Sequence, residues 1–555
     1  MIKTNLAISK FAILSFVISV ILLAPSWNAS SQETAAAWPQ NIPGQNQGAY
    51  VRRQDPEWMT FDELKKLSEN PYVVGQLREK LNKFWKTPII SNEAYYTGTK
   101  PRNLVDSKLG PFLRVASWNI EKSFQMKDAI EVWSAPSEKF AAMLDPDKSL
   151  SDEDLRQTCL RQRERLMTAD VLILQEMDVG LKRSGYINAA EELAKTLQMN
   201  YAYGTEQLEI DPVILGLEKI DNDDGTVDQE ATDYYAVDPA RHKGAFGCAV
   251  LSRYPIKKVE VFQLQNQAYD WYASEKEKIG FLETTRRAGT KVAFKNELTR
   301  EMKIGGRIFM RVDLEVPGLP QNTLSIINIH LEIKCQPEGR EIQMAEILGH
   351  IRNIRNNVIV MGDFNSSSTD LSPTSVTRVV TRSVKNPTNW LSLAVNYISP
   401  YGLAVNTTRG ISNTTKNFQD PTARNIPVIA PNSVRGLFEM IKDFRFIDGG
   451  AFDFRGDKKR TINGKKGTLA NSNERGRKGF VTTFRVKRPI GVIGKYRLDW
   501  AFVKSNLKDP EDKEGSYRFA PHFGETLEEL NTSLKEPVSD HHPNVIDLPF
   551  EEPHI

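Results

Sequence analysis

Leu324-Ser325-Ile326-Ile327-Asn328-Ile329-His330 is an apolar run that ends on a histidine. Asn357-Val358-Ile359-Val360-Met361-Gly362-Asp363-Phe364-Asn365 is a second, ending on an aspartate and an asparagine. Residues 340–354 between them carry a helical pattern. A strand, a helix and a strand in that order predict an α/β domain with its sheets buried between helices. The same rhythm extends outward. Further strands are expected at 113–118, 171–175, 249–252, 308–314 and 498–503, and further helices at 152–168 and 189–198. No internal repeat is present.

With 555 residues the chain fits one large core with insertions, or two modest domains. Apolar residues make up 40% and charged residues 26%, the composition of an ordinary globular protein. The net charge of +3 lacks the basic excess of a dedicated nucleic-acid binder, so charge alone names no polymer partner.

The N-terminus differs from the rest. Lys3 and Lys10 precede an apolar run over 11–24, and Pro25-Ser26-Trp27-Asn28-Ala29 supplies small residues suited to cleavage. This order predicts a secretory signal over 1–26. The run is short of the roughly 20 residues of a membrane span, and an uncleaved N-terminal anchor is the alternative. Either reading places the body outside the cytoplasm, periplasmic or extracellular. Residues 27–110 read as a polar linker followed by a helical lead-in. Thr60 and Glu63 have capping-box spacing, and the helical pattern over 61–84 is interrupted near Asn70-Pro71. Cys159, Cys248 and Cys335 form no CxxC pair, which argues against a thiolate zinc site. Three buried small residues, or one disulfide and one thiol left over, both fit.

Three stretches interrupt the strand–helix rhythm and read as insertions, at about 206–243, 265–305 and 366–479. The first holds Asp221-Asn222-Asp223-Asp224-Gly225, but Ile220 stands where a calcium loop needs its first ligand, so a solvated loop is expected. The last ends in a basic stretch, 454–480, with nine Lys or Arg against two acids. It reads either as a lip for a polyanionic substrate or as a solvated loop.

Polar residues recur where apolar strands end: Asn119, Glu176, His330, Asp363 and Asn365, with Asp499 beside Trp500 and Asp540-His541 before a final apolar pair. Strand ends form the rim of a sheet, where sites are commonly built. Carboxylate oxygens suit a hard cation such as Mg²⁺, which also accepts an amide oxygen. A histidine beside a carboxylate suits proton abstraction from water near neutral pH. A second histidine and an asparagine suit charge building on a phosphate oxygen.

The strings Ser117-Trp118-Asn119-Ile120, Gln175-Glu176, Gly247-Cys248-Ala249-Val250-Leu251-Ser252-Arg253-Tyr254-Pro255-Ile256, Asn328-Ile329-His330-Leu331-Glu332, Gly362-Asp363-Phe364-Asn365, Arg497-Leu498-Asp499-Trp500 and Ser539-Asp540-His541-His542-Pro543 stand in the order seen in the endonuclease/exonuclease/phosphatase superfamily. The chain resembles that group, which includes pancreatic-type deoxyribonucleases, apurinic-site endonucleases, neutral sphingomyelinases and inositol-polyphosphate 5-phosphatases. The resemblance covers a catalytic domain over 111–550. It implies a deoxyribonuclease I-like, four-layer α/β sandwich: two central mixed sheets flanked by helices, large loop insertions, and the site at one edge.

By motif the resemblance makes Glu176 the chief metal ligand for Mg²⁺ or Mn²⁺, with Asn119 and Asp540 completing or supporting the shell. Asp363 and Asn365 orient the attacking water and touch the phosphate or a second metal. His330 hydrogen-bonds the phosphate and assists the leaving group. Asp499 holds the tautomer of His541, which takes the proton from water. Cys248 departs from the pattern, standing where many members have Asn. Arg340 and Gln343 read as structural or rim residues.

The expected function is metal-dependent phosphoester hydrolysis by a monomer with no stable protein partner. An exported nuclease is favoured. A sphingomyelin or other phospholipid phosphodiesterase and an inositol-phosphate phosphatase are the alternatives within the class. A catalytically silent binding module is the alternative outside it.

Overall fold

Along the strand Gly110–Asn119, Leu113 and Val115 enter one buried cluster while Ala116 and Trp118 enter another. In Val171–Val179, Val171 and Ile173 join the first cluster and Leu172 and Leu174 the second. Successive side chains leave opposite faces of a strand, so both faces of this sheet are buried. A second sheet repeats the arrangement. Ile326, Ile359, Met361 and Ala501 share the first cluster, whereas Ile327, Val358, Val360 and Phe502 enter a third. The first cluster is therefore the seam between two sheets, and the other two lie between a sheet and its helices. The result is four layers: helix, sheet, sheet, helix. Each fully buried aliphatic or aromatic side chain contributes about 1.5–3 kcal/mol, so the fold rests on these three cores.

This computed structural model describes residues 50–149, 153–221, 225–276, 300–366, 435–454, 482–490, 493–507, 509, 512, 514–520 and 523–554. The larger sheet has ten strands. Its path runs Arg53–Gln54, Ile89–Ser91, Asn200–Glu209, Ala245–Ser252, Val171–Val179, Gly110–Asn119, Asn544–Pro549, Phe523–Thr526. Leu104–Asp106 and Lys303–Gly305 pair at its sides. The smaller sheet runs Asp499–Lys504, Asn357–Asp363, Thr323–His330, Ile308–Glu315, Ile256–Gln263. Each sheet is mixed, with one parallel pair among antiparallel ones: Val115 lies opposite Val171, and Leu324 opposite Asn357. Parallel neighbours need a crossover. The helix Glu153–Met167 lies in the first crossover and Pro337–Ile351 in the second.

The lead-in forms as its signals predict. Thr60 Oγ1 accepts from the Glu63 N–H at 3.2 Å and the Glu63 carboxylate accepts from the Thr60 N–H at 2.7 Å, capping the helix Phe61–Glu69. A second helix, Gly75–Phe84, follows the break at Pro71. The lead-in also supplies three short strands, and Ile89 lies opposite Tyr203 in the large sheet. Strands of two and three residues are too short to show a period in sequence.

Three stretches read as insertions contribute to the core at their ends. Residues 206–209 belong to the strand Asn200–Glu209, and Lys303–Gly305 pairs with it. Residues 435–443 form a helix whose Leu437, Phe438 and Ile441 complete the third cluster. The acidic residues 222–224, nearly all of the basic stretch 454–480 and the segment 1–26, expected to be a signal, lie outside the described residues. Among the described residues no helix is long and apolar enough to cross a membrane.

Candidate active site

Both parallel pairs end at the same rim. Asn119 lies opposite Gln175, and His330 opposite Asp363, which in turn lies opposite Asp499. The two sheets are joined there by a buried polar bridge. Gln175 Nε2 donates to Asn328 Oδ1 at 2.7 Å, and Asn328 Nδ2 donates to the carbonyls of Leu174 and Ala249 at 3.0 and 2.9 Å. Both amides are buried, so the hydrogen bonds of the bridge replace ones given up to water.

Two carboxylates reach the rim on β-bulges. In the strand Val171–Val179, Leu174 pairs with Ala249 but Met177 with Gly247, and Glu176 sits in the irregular step with φ 60°. In Asn200–Glu209, Thr205 pairs with Gly247 but Gln207 with Phe246, leaving Glu206 as the extra residue. A bulge re-aims a side chain at a local cost. A non-glycine residue in the left-handed region costs about 1–3 kcal/mol, and Glu176 shares that conformation with Glu121, Lys122, Ser123 and Asn365. Both bulges face Gly247. A Cβ there would stand 2.0 Å from the Gly204 carbonyl oxygen, so only glycine fits.

Glu176 accepts from Asn119 Nδ2 at 3.2 Å through one oxygen and from the Lys122 N–H at 3.0 Å through the other. Burial opposes its ionisation, but His330, Lys122 and His541 outweigh it and pull the carboxyl down to about 2. Asn119 Nδ2 also donates to Asp363 at 3.2 Å, while its oxygen accepts from the Glu121 N–H at 3.0 Å. That backbone donor fixes the amide, which turns its NH₂ toward the two carboxylates.

His541 Nδ1 lies 2.9 Å from Asp499, and its Nε2 3.8 Å from Asp363. Burial alone would lower the imidazole pKa, but Asp499 and Asp363 reverse this and hold it well above the usual histidine range. Asp363 is raised by burial, with His541 opposing and Asp499 adding to the shift. The ring of Phe484 meets the His541 ring edge-on at 4.9 Å. Thr483 Oγ1 accepts from the N–H groups of Leu498 and Asp499. The Thr483 carbonyl accepts from the His542 N–H at 2.7 Å, so one short segment holds both members of the pair.

A second histidine–carboxylate pair stands opposite. His330 Nδ1 is 3.0 Å from Glu206, and Arg307 Nη1 is 3.0 Å from the same carboxylate and in contact with the imidazole ring. Nδ1 of His330 thus lies between an acceptor, Glu206, and a donor, Arg307 Nη1 at 2.6 Å. Nε2 faces Glu176 at 3.6 Å and Asp363 at 4.0 Å. Arg307 is buried, yet Glu332, Glu206 and Glu176 outweigh that cost and keep it charged.

The structure thus brings Asn119, Glu176, His330, Asp363, Asp499 and His541 together. Asn365 lies beside them: its N–H donates to Asp363 at 2.7 Å and its Nδ2 to the Leu331 carbonyl at 3.0 Å. Asp540 is half-buried, and its N–H donates to Glu121 at 3.1 Å. Arg340 and Gln343 are structural. Arg340 donates to Ser366 Oγ and to the carbonyls of Glu332 and Cys335, and Gln343 accepts from the Glu332 N–H. The three cysteines are unpaired thiols, and Cys248 Sγ donates to Glu206 at 3.2 Å. Sequence reasoning missed Glu206, Arg307 and the Lys122 N–H. Tyr201 and Tyr203 alternating ahead of Glu206 were the available strand signal.

Two groups of side chains among the described residues lie close enough to share an ion: Glu206, Cys248 and His330, and Asp363, Asp499 and His541. Arg307 already supplies the positive charge at the first. Glu176, ionised and, among the described residues, with one hydrogen bond at each oxygen, has the donor chemistry that a hard cation needs.

Fold and site together define a deoxyribonuclease I-like sandwich with acid–base groups at one rim. The chain belongs to the endonuclease/exonuclease/phosphatase family, whose model matches residues 116–541. Members are phosphoester hydrolases, nucleases and phosphatases among them, and typically use divalent metals. Similar solved structures include an endonuclease/exonuclease/phosphatase from Beutenbergia cavernae, 16% identical, covering 79% of this chain and 72% of that one, TM-score 0.33. An AP endonuclease from Archaeoglobus fulgidus is 12% identical over 78% of this chain and 98% of that one, TM-score 0.33. The human Nocturnin catalytic domain with bound sulfate is 12% identical over 81% and 98%, TM-score 0.31. No curated protein matches the sequence.

Proposed function

We propose that this chain is a metal-dependent phosphodiesterase acting on nucleic acid, exported from the cell. The observation that carries the hydrolytic reading is the pair His541–Asp499, 2.9 Å apart, facing Asp363 across the rim from Glu176 and Asn119. Asp499 fixes the proton of His541 on Nδ1, and Nε2, when neutral, takes a proton from water. Asp363 receives the Asn365 N–H, which orients its carboxylate toward that water. His330, held by Glu206, presents Nε2 to the phosphate. Glu176 would hold Mg²⁺ or Mn²⁺, with Asp540 completing the shell and Asn119 supporting it. A divalent ion bound there neutralises phosphate charge and orients the nucleophile.

No member of the expected set is lost from the sequence, which favours an enzyme over a silent binding module. Export rests on the N-terminal order of positive, apolar and small residues. The test is hydrolysis of bis-p-nitrophenyl phosphate, plasmid DNA, RNA, sphingomyelin and inositol polyphosphates, with Mg²⁺, Mn²⁺ or EDTA. Metal-dependent cleavage of DNA or RNA that disappears in His541→Ala supports the proposal. Cleavage confined to sphingomyelin or inositol phosphates moves the substrate. Inactivity on every substrate with metal bound returns the binding module.

A further inference from the structure

The strand that carries Glu176 ends at Val179, and Ala245, the first residue of the neighbouring strand, lies opposite. The loops that continue from these two ends, 180–187 and 236–244, are fastened to each other. The Lys243 N–H donates to the Gly180 carbonyl at 2.9 Å, and the Gly180 N–H donates to the Ile187 carbonyl at 2.9 Å. Gly180 has φ +69°, and a Cβ there would stand 2.6 Å from the Lys243 Cβ, so this glycine lets the second loop close on the first. Four residues of strand span about 13 Å, so Gly180 stands no farther than that from Glu176.

Three cations stand on these loops, each beside an aromatic ring. Arg241 lies 4.5 Å from the centre of the Tyr186 ring, Lys243 4.5 Å from that of Trp58, and Lys182 5.8 Å from that of Tyr234. Backbone carbonyls supply further contacts. Lys182 Nζ donates to those of Tyr234 and Ala236 at 2.6 and 2.8 Å, and Arg241 Nη2 to that of Gly185 at 2.8 Å. Among the described residues none of the three has a carboxylate at ion-pair distance. Arg183, on the same loop, differs: Asp178 at 2.9 Å and Glu209 at 3.0 Å neutralise it. Asp238, the acid of the second loop, accepts from the Ala240 N–H at 2.9 Å.

A ring face and a carbonyl steady a cation without cancelling its charge. Part of the side-chain freedom that ligand binding would cost is already lost, and the charge remains for a ligand. Three such cations together suit negative charge that repeats. Their place, at the end of the strand that carries Glu176, makes the phosphates flanking the scissile one the matching ligand. A flat bilayer fits less well, since the cations lie at different depths: Lys182 and Arg241 are exposed and Lys243 is half-buried.

Resting on the hydrolytic reading above, we infer that Lys182, Arg241 and Lys243 form a phosphate-backbone track, which holds the polynucleotide strand on the Glu176 side of the cut without reading its sequence. The substrate is then a polymer, recognised through several phosphates and cleaved at one.

The test uses the full chain, the double variant Lys182→Gln/Arg241→Gln and a triple variant that adds Lys243→Gln. Lys182 and Arg241 are exposed, so the double variant folds even if the triple does not. Binding of a labelled single-stranded oligonucleotide is followed by anisotropy in EDTA over a range of KCl. Each phosphate contact adds about 0.7 to the slope of log affinity against log salt, so the slope should become shallower by about 1.4 in the double variant and about 2 in the triple. An unchanged slope in both overturns the track. With Mg²⁺ at low salt, kcat/KM of the double variant should fall at least about fivefold on the oligonucleotide and stay within about twofold of wild type on bis-p-nitrophenyl phosphate, which carries one phosphate. An equal fall on both substrates overturns the proposal, because the cations would then support the site itself. Phosphatidylglycerol vesicles form a third arm. Capture that needs the three cations, with the oligonucleotide slope unchanged, gives the surface to a membrane and overturns the track. The two readings fail separately. Hydrolysis of bis-p-nitrophenyl phosphate with unaltered oligonucleotide slopes removes the track alone. Oligonucleotide binding that needs the cations, with no hydrolysis of any ester, removes the hydrolase reading alone.

Discussion

His541 Nδ1 lies 2.9 Å from Asp499, and the opposite ring nitrogen faces Asp363. A general base contributes about a hundredfold or more. His541→Ala should therefore lower turnover on bis-p-nitrophenyl phosphate by at least about a hundredfold. Near-wild-type turnover in a folded variant would remove His541 from the mechanism.

Glu176 is a carboxylate that His330, Lys122 and His541 hold well below the usual range despite its burial. Glu176→Gln keeps its shape and removes the charge. Affinity for Mn²⁺ by calorimetry should fall at least about tenfold, and EDTA should abolish wild-type activity. Unchanged metal affinity would place the ion elsewhere, with the group at Asp363, Asp499 and His541 the next position to examine.

Glu206→Gln separates positioning from chemistry. The variant keeps a partner for His330 but loses the charge that faces Arg307. Turnover should fall roughly tenfold to a hundredfold as the imidazole loses its fixed orientation. Thermal stability should also fall, since a buried guanidinium left short of a partner is costly. Wild-type turnover would show that the His330 orientation is set by something else.

Much of this arrangement was legible in the sequence, and the misses share a cause. Buried strands such as Asn357–Asp363 announce themselves because both faces are apolar, and their ends then mark Asp363 and His330. Glu206 hides in a strand that carries Gly204, Thr205, Glu206 and Gln207 in succession, which by residue type reads as loop. A bulge adds a residue and breaks the period of two, so the residues it aims are the least visible. Arg307 follows two glycines and a charged stretch, and only the paired carboxylates of Glu206 and Glu332 give its burial a reason. The helix Arg435–Asp443 is separated from its packing partner, Pro337–Ile351, by a long intervening segment, and nothing local shows which core it enters.

Gly247 should tolerate no side chain. Alanine there would drive a methyl group into the Gly204 carbonyl, between the two bulges. The expected loss is about 3 kcal/mol, read as a lowered urea midpoint, with activity falling in the fraction that remains folded. A midpoint within error of wild type would contradict the packing described.

His242 sets an acid limit on stability. Burial lowers its pKa to about 4, against partial opposition from nearby Glu209. The unfolded chain, with an ordinary histidine near 6.5, binds the proton first as pH falls. Stability is therefore full above pH 6.5 and declines toward pH 4, by about 3 kcal/mol at most. His242→Phe should flatten that part of the pH–stability curve. An unchanged slope between pH 6.5 and 4 would show that another group governs it.

The bridge between Gln175 and Asn328 sets a tolerance on the machinery. Asn119 and Glu176 ride on one sheet, while His330, Asp363 and Asp499 ride on the other. The seam between them is aliphatic, and aliphatic surfaces slide with little directional resistance. A slip of an ångström would leave each half intact and put every spacing across the gap out of register. Two amides, placed one residue before Glu176 and two before His330, work as a dowel pin: they fix the alignment of the two sheets at the place where misalignment would matter most.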